Sequence, residues 1–174
     1  HMYISNATGC SSIWGGPAAT SPYTVNKESG HGPAWANSLF EDNAEHGFGM
    51  YLGQKVIRDN TIAKIEALKA AKPELAEVID AFLATKNSTK ENTPAAEALI
   101  AALEKDGSAE AKEILENKQF LAKKSVWIFG GDGWAYDIGF GGLDHVLASG
   151  EDVNVMVFDT EMYSNTGGQA SKAS

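Results

Sequence analysis

One stretch near the end of the chain constrains the fold more than any other. The apolar run Val126 to Phe129 ends abruptly at Gly130-Gly131-Asp132-Gly133, and a second apolar run covers Val153 to Phe158. Short continuous apolar runs are typical of strands buried on both faces of a parallel sheet. The segment between them, Trp134 to Ser149, has apolar side chains at helical spacing. Strand, glycine turn, helix and strand predict a right-handed crossover, and hence an α/β fold with a mainly parallel sheet and crossover helices.

The middle of the chain has a different character. Residues 59 to 119 are rich in Ala, Glu, Lys and Leu, with apolar positions at helical spacing, which predicts a helical insert. We expect Pro73 to start a second helix and Asn87-Ser88-Thr89 to form a polar break. Thr93-Pro94 is typical of a cap followed by a first-turn proline, and Asp106-Gly107 of the end of that helix.

The remaining part of the chain, residues 3 to 53, is crowded with Gly, Pro, Ser and Asn, which predicts turns and loops rather than periodic structure. A chain of 174 residues can bury a core as one domain. We therefore expect residues 3 to 174 to form a single, truncated domain that carries the helical insert at about 59 to 119. The opening His1-Met2 is interpreted as a cloning scar.

Charge and cysteine content exclude several classes of protein. The chain has 14 basic and 23 acidic side chains without a basic cluster, which argues against binding to nucleic acid or to an anionic membrane. Its apolar runs are far shorter than the roughly 20 residues that span a bilayer, and no signal sequence opens it. The single cysteine, Cys10, cannot form an intramolecular disulfide or a complete zinc site. These features favour a cytoplasmic setting.

The turn Gly131-Asp132-Gly133 is the strongest local signal of chemistry. A dinucleotide fingerprint needs a third glycine, which Gly131 to Tyr136 lacks, and a carboxylate would repel a bare pyrophosphate. A bridging Mg²⁺ removes that conflict, because this ion is commonly held by one or two carboxylates while a diphosphate completes its octahedron. The glycines would let the backbone approach the diphosphate closely. The alternative is a turn in which Asp132 only caps the following helix.

A second polar loop is predicted at the same edge of the sheet. Asp159 to Gly168 carries hydroxyls, an amide and a glycine pair directly after the second strand. Because ligands of parallel sheets lie beyond the carboxyl ends of the strands, this loop and Asp132 are expected to face one ligand. Asp132, followed by Asn165 after a βαβ unit, resembles the thiamine diphosphate motif that opens with Gly-Asp-Gly and closes with Asn.

Several segments together resemble the C-terminal thiamine-binding domain of pyruvate:ferredoxin (flavodoxin) oxidoreductases. They are Asn6 to Gly16, Pro22 to Lys27, Gly30 to Glu45, Val126 to Gly150 and Tyr163 to Gln169. The resemblance implies a large cytoplasmic, homodimeric enzyme of anaerobic metabolism and electron transport. Such enzymes oxidatively decarboxylate pyruvate on thiamine diphosphate, form acetyl-CoA from coenzyme A, release CO2 and pass electrons through [4Fe-4S] clusters to ferredoxin or flavodoxin.

The resemblance also implies roles for individual residues. Asp132 through its carboxylate, Thr160 through its hydroxyl and Met162 through its backbone carbonyl would bind Mg²⁺, and Asn165 would reach the reacting end of the cofactor as the catalytic residue. Cys10 would ligate the cluster nearest thiamine in the complete enzyme; the alternative is a small buried apolar residue. The residues expected to contact the cofactors are Cys10, Gly131, Asp132, Gly133, Trp134, Thr160, Glu161, Met162, Tyr163, Ser164 and Asn165.

Part of such an enzyme is expected to lie outside this chain. A four-iron cluster needs four thiolates, and the resemblance places the other cysteines before residue 3 and after residue 174. It also places the glutamate that activates thiamine on another domain of the same polypeptide. We therefore expect the isolated chain to lack the cluster and to be inactive. Two alternatives stay open: a related 2-oxoacid:ferredoxin oxidoreductase, and a noncatalytic thiamine-fold binding module.

Overall fold

The computed structural model describes residues 2–11, 25–39 and 41–173. The chain divides into two compact units: a helical unit, Leu52–Lys124, and a sheet unit made of Met2–Tyr51 and Ser125–Ser174. Sequence motifs within 12 to 24 and at residue 40 lie outside the described residues. The single-domain organisation expected for residues 3 to 174 stays a prediction.

The sheet unit contains four parallel strands in the order β2-β1-β3-β4. The strands are β1 (Met2–Ala7), β2 (Ala34–Ser38), β3 (Ser125–Gly131) and β4 (Asn154–Phe158). In register, Ile4 of β1 lies opposite Trp35 of β2 and Trp127 of β3, and Ile128 of β3 lies opposite Val155 of β4. A separate antiparallel pair joins β5 (Met162–Tyr163) to β6 (Gln169–Ala170). The predicted α/β fold with a mainly parallel sheet is confirmed.

The crossover between β3 and β4 is not the single α-helix predicted over Trp134 to Ser149. It begins with a π-helix over Gly133–Ile138 and continues as an α-helix, Phe140–Ala148. The amide of Gly139 donates to the carbonyl of Trp134 at 2.9 Å, five residues back. A side chain on Gly139 would collide with Trp134, since its Cβ would lie 2.6 Å from that carbonyl oxygen. The wide turn therefore depends on glycine, and such turns are frequent at functional sites.

The expectation that residues 3 to 53 form only turns and loops is wrong. This part of the chain contains β1, β2 and the start of helix α1 (Asn43–Ala71). Ser5 and Asn6 interrupt the apolar pattern of β1, yet both are buried, because Ser5 bonds to the helix and Asn6 bonds to Asn37 of β2. Ser5 donates to Asn43 Oδ1 at 2.7 Å and lies 2.7 Å from His46 Nδ1. Asn43 in turn donates to the carbonyl of Phe129 at 2.8 Å.

The helical unit contains the rest of α1, followed by three more helices: α2 (Ala76–Thr85), α3 (Thr89–Asp106) and α4 (Ala109–Leu115). Short 3₁₀ turns occupy Pro73–Leu75 and Lys118–Phe120. Apolar side chains at helical spacing form its core; the largest buried ones are Ile65, Ile79, Phe82, Leu99, Leu103, Ile114 and Leu121. None of the helices in the described ranges combines the length and apolar composition needed to cross a membrane.

The prediction that Thr93-Pro94 starts the third helix of the insert is wrong. The helix begins at Thr89, and Pro94 lies inside it. Ser88 is the N-cap, because its hydroxyl accepts from the amide of Glu91 at 3.2 Å. The predicted end at Asp106-Gly107 is confirmed: Gly107 has a φ of 64° and its amide donates to Leu103 at 3.1 Å.

Candidate cofactor site at the carboxyl edge of the sheet

The order of the strands identifies the place in the sheet unit where a ligand is expected. From β1 the sheet extends to β2 on one side, and from β3 it extends to β4 on the other. In open parallel sheets, ligands bind beyond the carboxyl ends of the strands at the point where the order reverses. Here that point lies between β1 and β3, where Cys10 and Asp132 follow the two strands.

A cavity of about 300 Å³ lies at this point. Its walls come from the segment after β1, the glycine turn with the π-helix, and the loop after β4: Ala7, Thr8, Gly9, Cys10, Gly131, Gly133, Trp134, Asp137, Ile138, Tyr163, Asn165 and Thr166. Six of the predicted cofactor residues line it, namely Cys10, Gly131, Gly133, Trp134, Tyr163 and Asn165. The other five, Asp132, Thr160, Glu161, Met162 and Ser164, lie outside its lining, in the turn and loop that bound it.

Asp132 is the centre of a hydrogen-bonded cluster outside the lining. Its side chain is completely buried, with 0% exposed. One carboxylate oxygen accepts from the backbone amide of Thr160 at 2.9 Å, and the other from the hydroxyl of Ser171 at 3.1 Å. Both donors are neutral, and no basic side chain of the described chain forms an ion pair with Asp132. Because a buried carboxylate is costly without an opposite charge, this cluster favours a cation.

The two other predicted metal ligands lie side by side. The hydroxyl of Thr160 is 3.2 Å from the backbone carbonyl of Met162 and 3.2 Å from the hydroxyl of Ser164. Adjacent oxygens around an octahedral Mg²⁺ are about 3 Å apart. Glu161, between the two ligands, has a φ of 60°, and it is the one non-glycine residue with positive φ in the described ranges. Residues in this strained conformation cluster at ligand sites.

The donor set suits a hard cation. It offers one carboxylate, one hydroxyl and one carbonyl, and Mg²⁺ prefers oxygen ligands of these kinds. Thr160 and Met162 are exposed, so the remaining coordination positions can be filled by a ligand or by water. Among residues 2–11, 25–39 and 41–173, no three His, Cys, Asp or Glu side chains come together as metal ligands. The candidate metal position therefore depends on Asp132 with neutral oxygens.

The two glycines around Asp132 make room for side chains of this chain. A Cβ on Gly131 would lie 2.9 Å from Cβ and 3.4 Å from Sγ of Cys10. A Cβ on Gly133 would lie 2.5 Å from Cε1 of Tyr163. Carbon atoms that are not bonded prefer separations of about 3.5–4.0 Å. Gly131 therefore admits Cys10, and Gly133 admits the Tyr163 ring, in addition to any role toward a diphosphate.

Trp134 forms an apolar wall of the cavity. Its side chain is 2% exposed, and its ring packs against Gly130 and Gly139, where an added Cβ would collide with the indole. The indole nitrogen is buried without a hydrogen-bond partner in the part of the chain that the structure describes. Trp134 thus excludes water from one side of the site.

Sequence reasoning missed two pairs of residues between the π-helix and the loop after β4. The hydroxyl of Tyr163 donates to Asp137, and Lys172 Nζ lies 3.3 Å from the other carboxylate oxygen. The bond from Tyr163 lowers the pKa of Asp137, and the same bond raises the pKa of Tyr163. Tyr136 donates to Asp159 at 3.0 Å, and this bond raises the pKa of Tyr136. The residues on both sides are polar, so their positions in the sequence alone do not distinguish them from solvent-facing side chains.

Comparison with known proteins shows which proteins contain a segment similar to this chain. No family model matches the chain. It is 54% identical over 177 residues to a pyruvate-flavodoxin oxidoreductase of Klebsiella pneumoniae, and 54% identical over 181 residues to a pyruvate:ferredoxin oxidoreductase of Moorella thermoacetica. The chain is homologous to one segment of these oxidoreductases. The predicted resemblance is therefore confirmed.

The coverage of these matches is unequal. Each includes 99% of this chain but only 15% of the relative, so the chain spans about a seventh of the length of these relatives. A mitochondrial pyruvate dehydrogenase [NADP(+)] of Euglena gracilis is 51% identical over 98% of the chain and 10% of its own length. The same segment thus occurs in proteins whose names give different electron acceptors.

Proposed function

We propose that this chain supplies the Mg²⁺- and diphosphate-binding half of the thiamine diphosphate site of an oxidoreductase that converts pyruvate and coenzyme A to acetyl-CoA and CO2. In this proposal, electrons leave through [4Fe-4S] clusters to flavodoxin or ferredoxin. The observation that carries it is the completely buried Asp132 carboxylate, which is bonded to the loop bearing Thr160 and Met162. The names of the three relatives described above contain pyruvate, which favours pyruvate over another 2-oxoacid.

In the proposed site, Asp132 provides the only formal negative charge of the protein ligands. The Thr160 hydroxyl and the Met162 carbonyl would complete a set of three oxygens, and the diphosphate with water would fill the other positions. The metal would then let two anions, Asp132 and the diphosphate, lie on the same turn without repulsion.

The residues around the cavity would orient the cofactor and exclude water. Thiamine diphosphate, when bound, supplies the group on which the carbon–carbon bond of a 2-oxoacid can be cleaved. Asn165 lines the cavity, and its amide can donate to charge that develops in the transition state. Trp134 and Ile138 form apolar walls, while the half-buried Cys10 brings a sulfur atom to the same cavity.

We also propose that other parts of the complete enzyme choose the electron acceptor. Relatives named for flavodoxin, ferredoxin and NADP(+) are all about equally similar to this chain, at 54%, 54% and 51% identity. A segment that determined the acceptor would be expected to differ more. The resemblance further supports a cytoplasmic, homodimeric enzyme whose isolated segment, with one cysteine, is inactive.

The test is calorimetric titration of the purified chain with thiamine diphosphate, with Mg²⁺ and then with EDTA. Asp132→Asn keeps the size of the side chain and removes its charge, and Asp144→Asn, at an exposed site on the crossover helix, is the matched control. We expect Mg²⁺-dependent binding in the wild type and the control, and its loss in Asp132→Asn. Metal-independent binding, or equal binding by both variants, would contradict the proposal. In the complete enzyme, Asp132→Asn should need a higher concentration of thiamine diphosphate for activity than the wild type, and Asp144→Asn should not.

A further inference from the structure

The carboxylates of Asp132 and Asp137 each bond to both ends of the loop that follows β4. We define the Asn165 loop as residues 159 to 172, which follow β4. Asp132, before the π-helix, accepts from Thr160 and Ser171, near the two ends of this loop. Asp137, within the π-helix, accepts from Tyr163 and pairs with Lys172 at 3.3 Å. Each carboxylate therefore connects an early and a late position of the loop.

The loop carries residues of the cavity but has few anchors of its own. Asn165 and Thr166 line the cavity and are exposed. Inside the loop, β5 pairs with β6, and the amide of Gly168 donates to the carbonyl of Tyr163 at 2.9 Å. These bonds give the loop its shape, but they do not attach it to the rest of the sheet unit. Its position relative to the cavity depends on side-chain bonds to the π-helix segment.

Asp137 is the carboxylate that is free to serve this purpose, because Asp132 is a proposed metal ligand. The Tyr163 ring lies directly against Gly133, where a Cβ would be 2.5 Å from the ring, and this contact directs the hydroxyl to Asp137. The hydrogen bond from Tyr163 is the largest cause of the lowered pKa of Asp137, so the carboxylate is ionised at neutral pH. Lys172 is 76% exposed, and solvent weakens its attraction to Asp137.

We infer that Asp137 is a positioning residue, which fixes the Asn165 loop against the cavity through its bond to Tyr163 before any cofactor binds. Asp137 also lines the cavity, but the role inferred here is exerted through Tyr163. Its importance for the cofactor rests on the proposed function, whereas its effect on the loop does not. The loop would therefore present Asn165 in a ready-made position, and less ordering would accompany ligand binding.

The test is hydrogen exchange of the purified chain without cofactor, followed by mass spectrometry. We expect amides of residues 160 to 171 to exchange faster by about tenfold in Asp137→Ala and in Tyr163→Phe, because both remove the same bond. Asp137→Asn should retain most of the protection, since its amide oxygen still accepts from Tyr163. Lys172→Met should change the rate by less than about twofold.

Two controls make the result specific. Asp144→Ala removes an exposed carboxylate from the crossover helix and should leave the loop unchanged, and amides of α3 should be unchanged in every variant. The double variant Asp137→Ala with Tyr163→Phe should exchange no faster than Asp137→Ala alone, which also removes the bond from the backbone amide of Lys172. Wild-type exchange in Asp137→Ala, additive effects in the double variant, or faster exchange throughout the chain would each overturn the inference. Failure of the wild type to bind thiamine diphosphate would contradict the proposed function, but the hydrogen-exchange result would still test the role of Asp137.

Discussion

Gly133→Ala is expected to destabilise the chain, and removal of one neighbouring ring is expected to reverse the effect. The three atoms nearest to an added Cβ at Gly133 all belong to Tyr163, at 2.5, 2.8 and 3.7 Å. Relief of this overlap needs a movement of the ring by about 1 Å. Because the ring is also held by its hydroxyl at Asp137 and by its backbone in β5, it cannot move without loss of those bonds.

The expected magnitude follows from two opposing effects. Overpacking of this kind lowers the free energy of unfolding by about 1–3 kcal/mol. Gly133 has no positive φ, so alanine can adopt its backbone conformation. Where the ring is absent, alanine should therefore raise the free energy of unfolding by about 0.4–1 kcal/mol, because the unfolded chain loses flexibility. Because the backbone effect is the same with and without the ring, it cancels between the two backgrounds, and the coupling between the two positions should be about 1–3 kcal/mol.

Urea unfolding of four chains measures this coupling: wild type, Gly133→Ala, Tyr163→Ala and the double variant. Gly141→Ala is the matched control, because it lies in the crossover helix and an added Cβ would meet no atom within 4 Å. The control should be neutral or stabilising. If Gly133→Ala lowers the unfolding midpoint equally with and without the Tyr163 ring, the packing explanation for this glycine is refuted.

Four further outcomes are expected. In the complete enzyme, Asp132→Ala should abolish Mg²⁺-dependent affinity for thiamine diphosphate with the fold intact; unchanged affinity would contradict the ligand assignment. Asn165→Ala should reduce kcat more than cofactor affinity, because its amide acts in the transition state, and equal losses would place it at the diphosphate. The isolated chain, with only Cys10, should be colourless and free of iron by metal analysis. The hydrogen bond from Lys72 lowers the pKa of Asp106 below its ordinary value of 3.8, so the stability from this pair is present above about pH 3.8 and is lost as the pH falls further; below that pH the urea midpoint should fall more steeply in the wild type than in Asp106→Asn.

The part of the fold that could be predicted from the sequence consists of elements whose apolar pattern is not interrupted by buried polar residues. The apolar runs of β3 and β4 and the glycine turn between strand and helix gave their parallel pairing. The strand β1 could not be predicted, because Ser5 and Asn6 break the apolar pattern. Their hydrogen-bond partners, such as Asn43, lie far away in the sequence. Pro94 misled for a related reason, since the cap at Ser88 provides a stronger start than a first-turn proline.

The same distinction applies to the candidate site. Parallel topology alone brings Asp132 and Thr160 to one edge, so their proximity was predictable. The role of Asp137 was not, because an ordinary helix repeats every 3.6 residues, and the π-helix aligns positions five residues apart. Likewise, the contact between Gly133 and Tyr163 depends on how the loop after β4 folds back, which no local pattern records.

The position of β1 in the middle of the sheet has a consequence for synthesis of the chain on the ribosome. Ile4 pairs with Trp127, and the neighbouring β2 covers only one of its edges. At about 5–20 residues per second, the roughly 120 intervening residues take about 6–25 s to translate. During that interval the helical unit can complete its own core, because all of its buried core residues lie between Ile62 and Leu121. The backbone amides and carbonyls along one edge of β1 stay unpaired until β3 is made. A nascent chain with this strand order is therefore most vulnerable to aggregation, and most in need of a chaperone, just before β3 and the glycine turn at its end leave the ribosome.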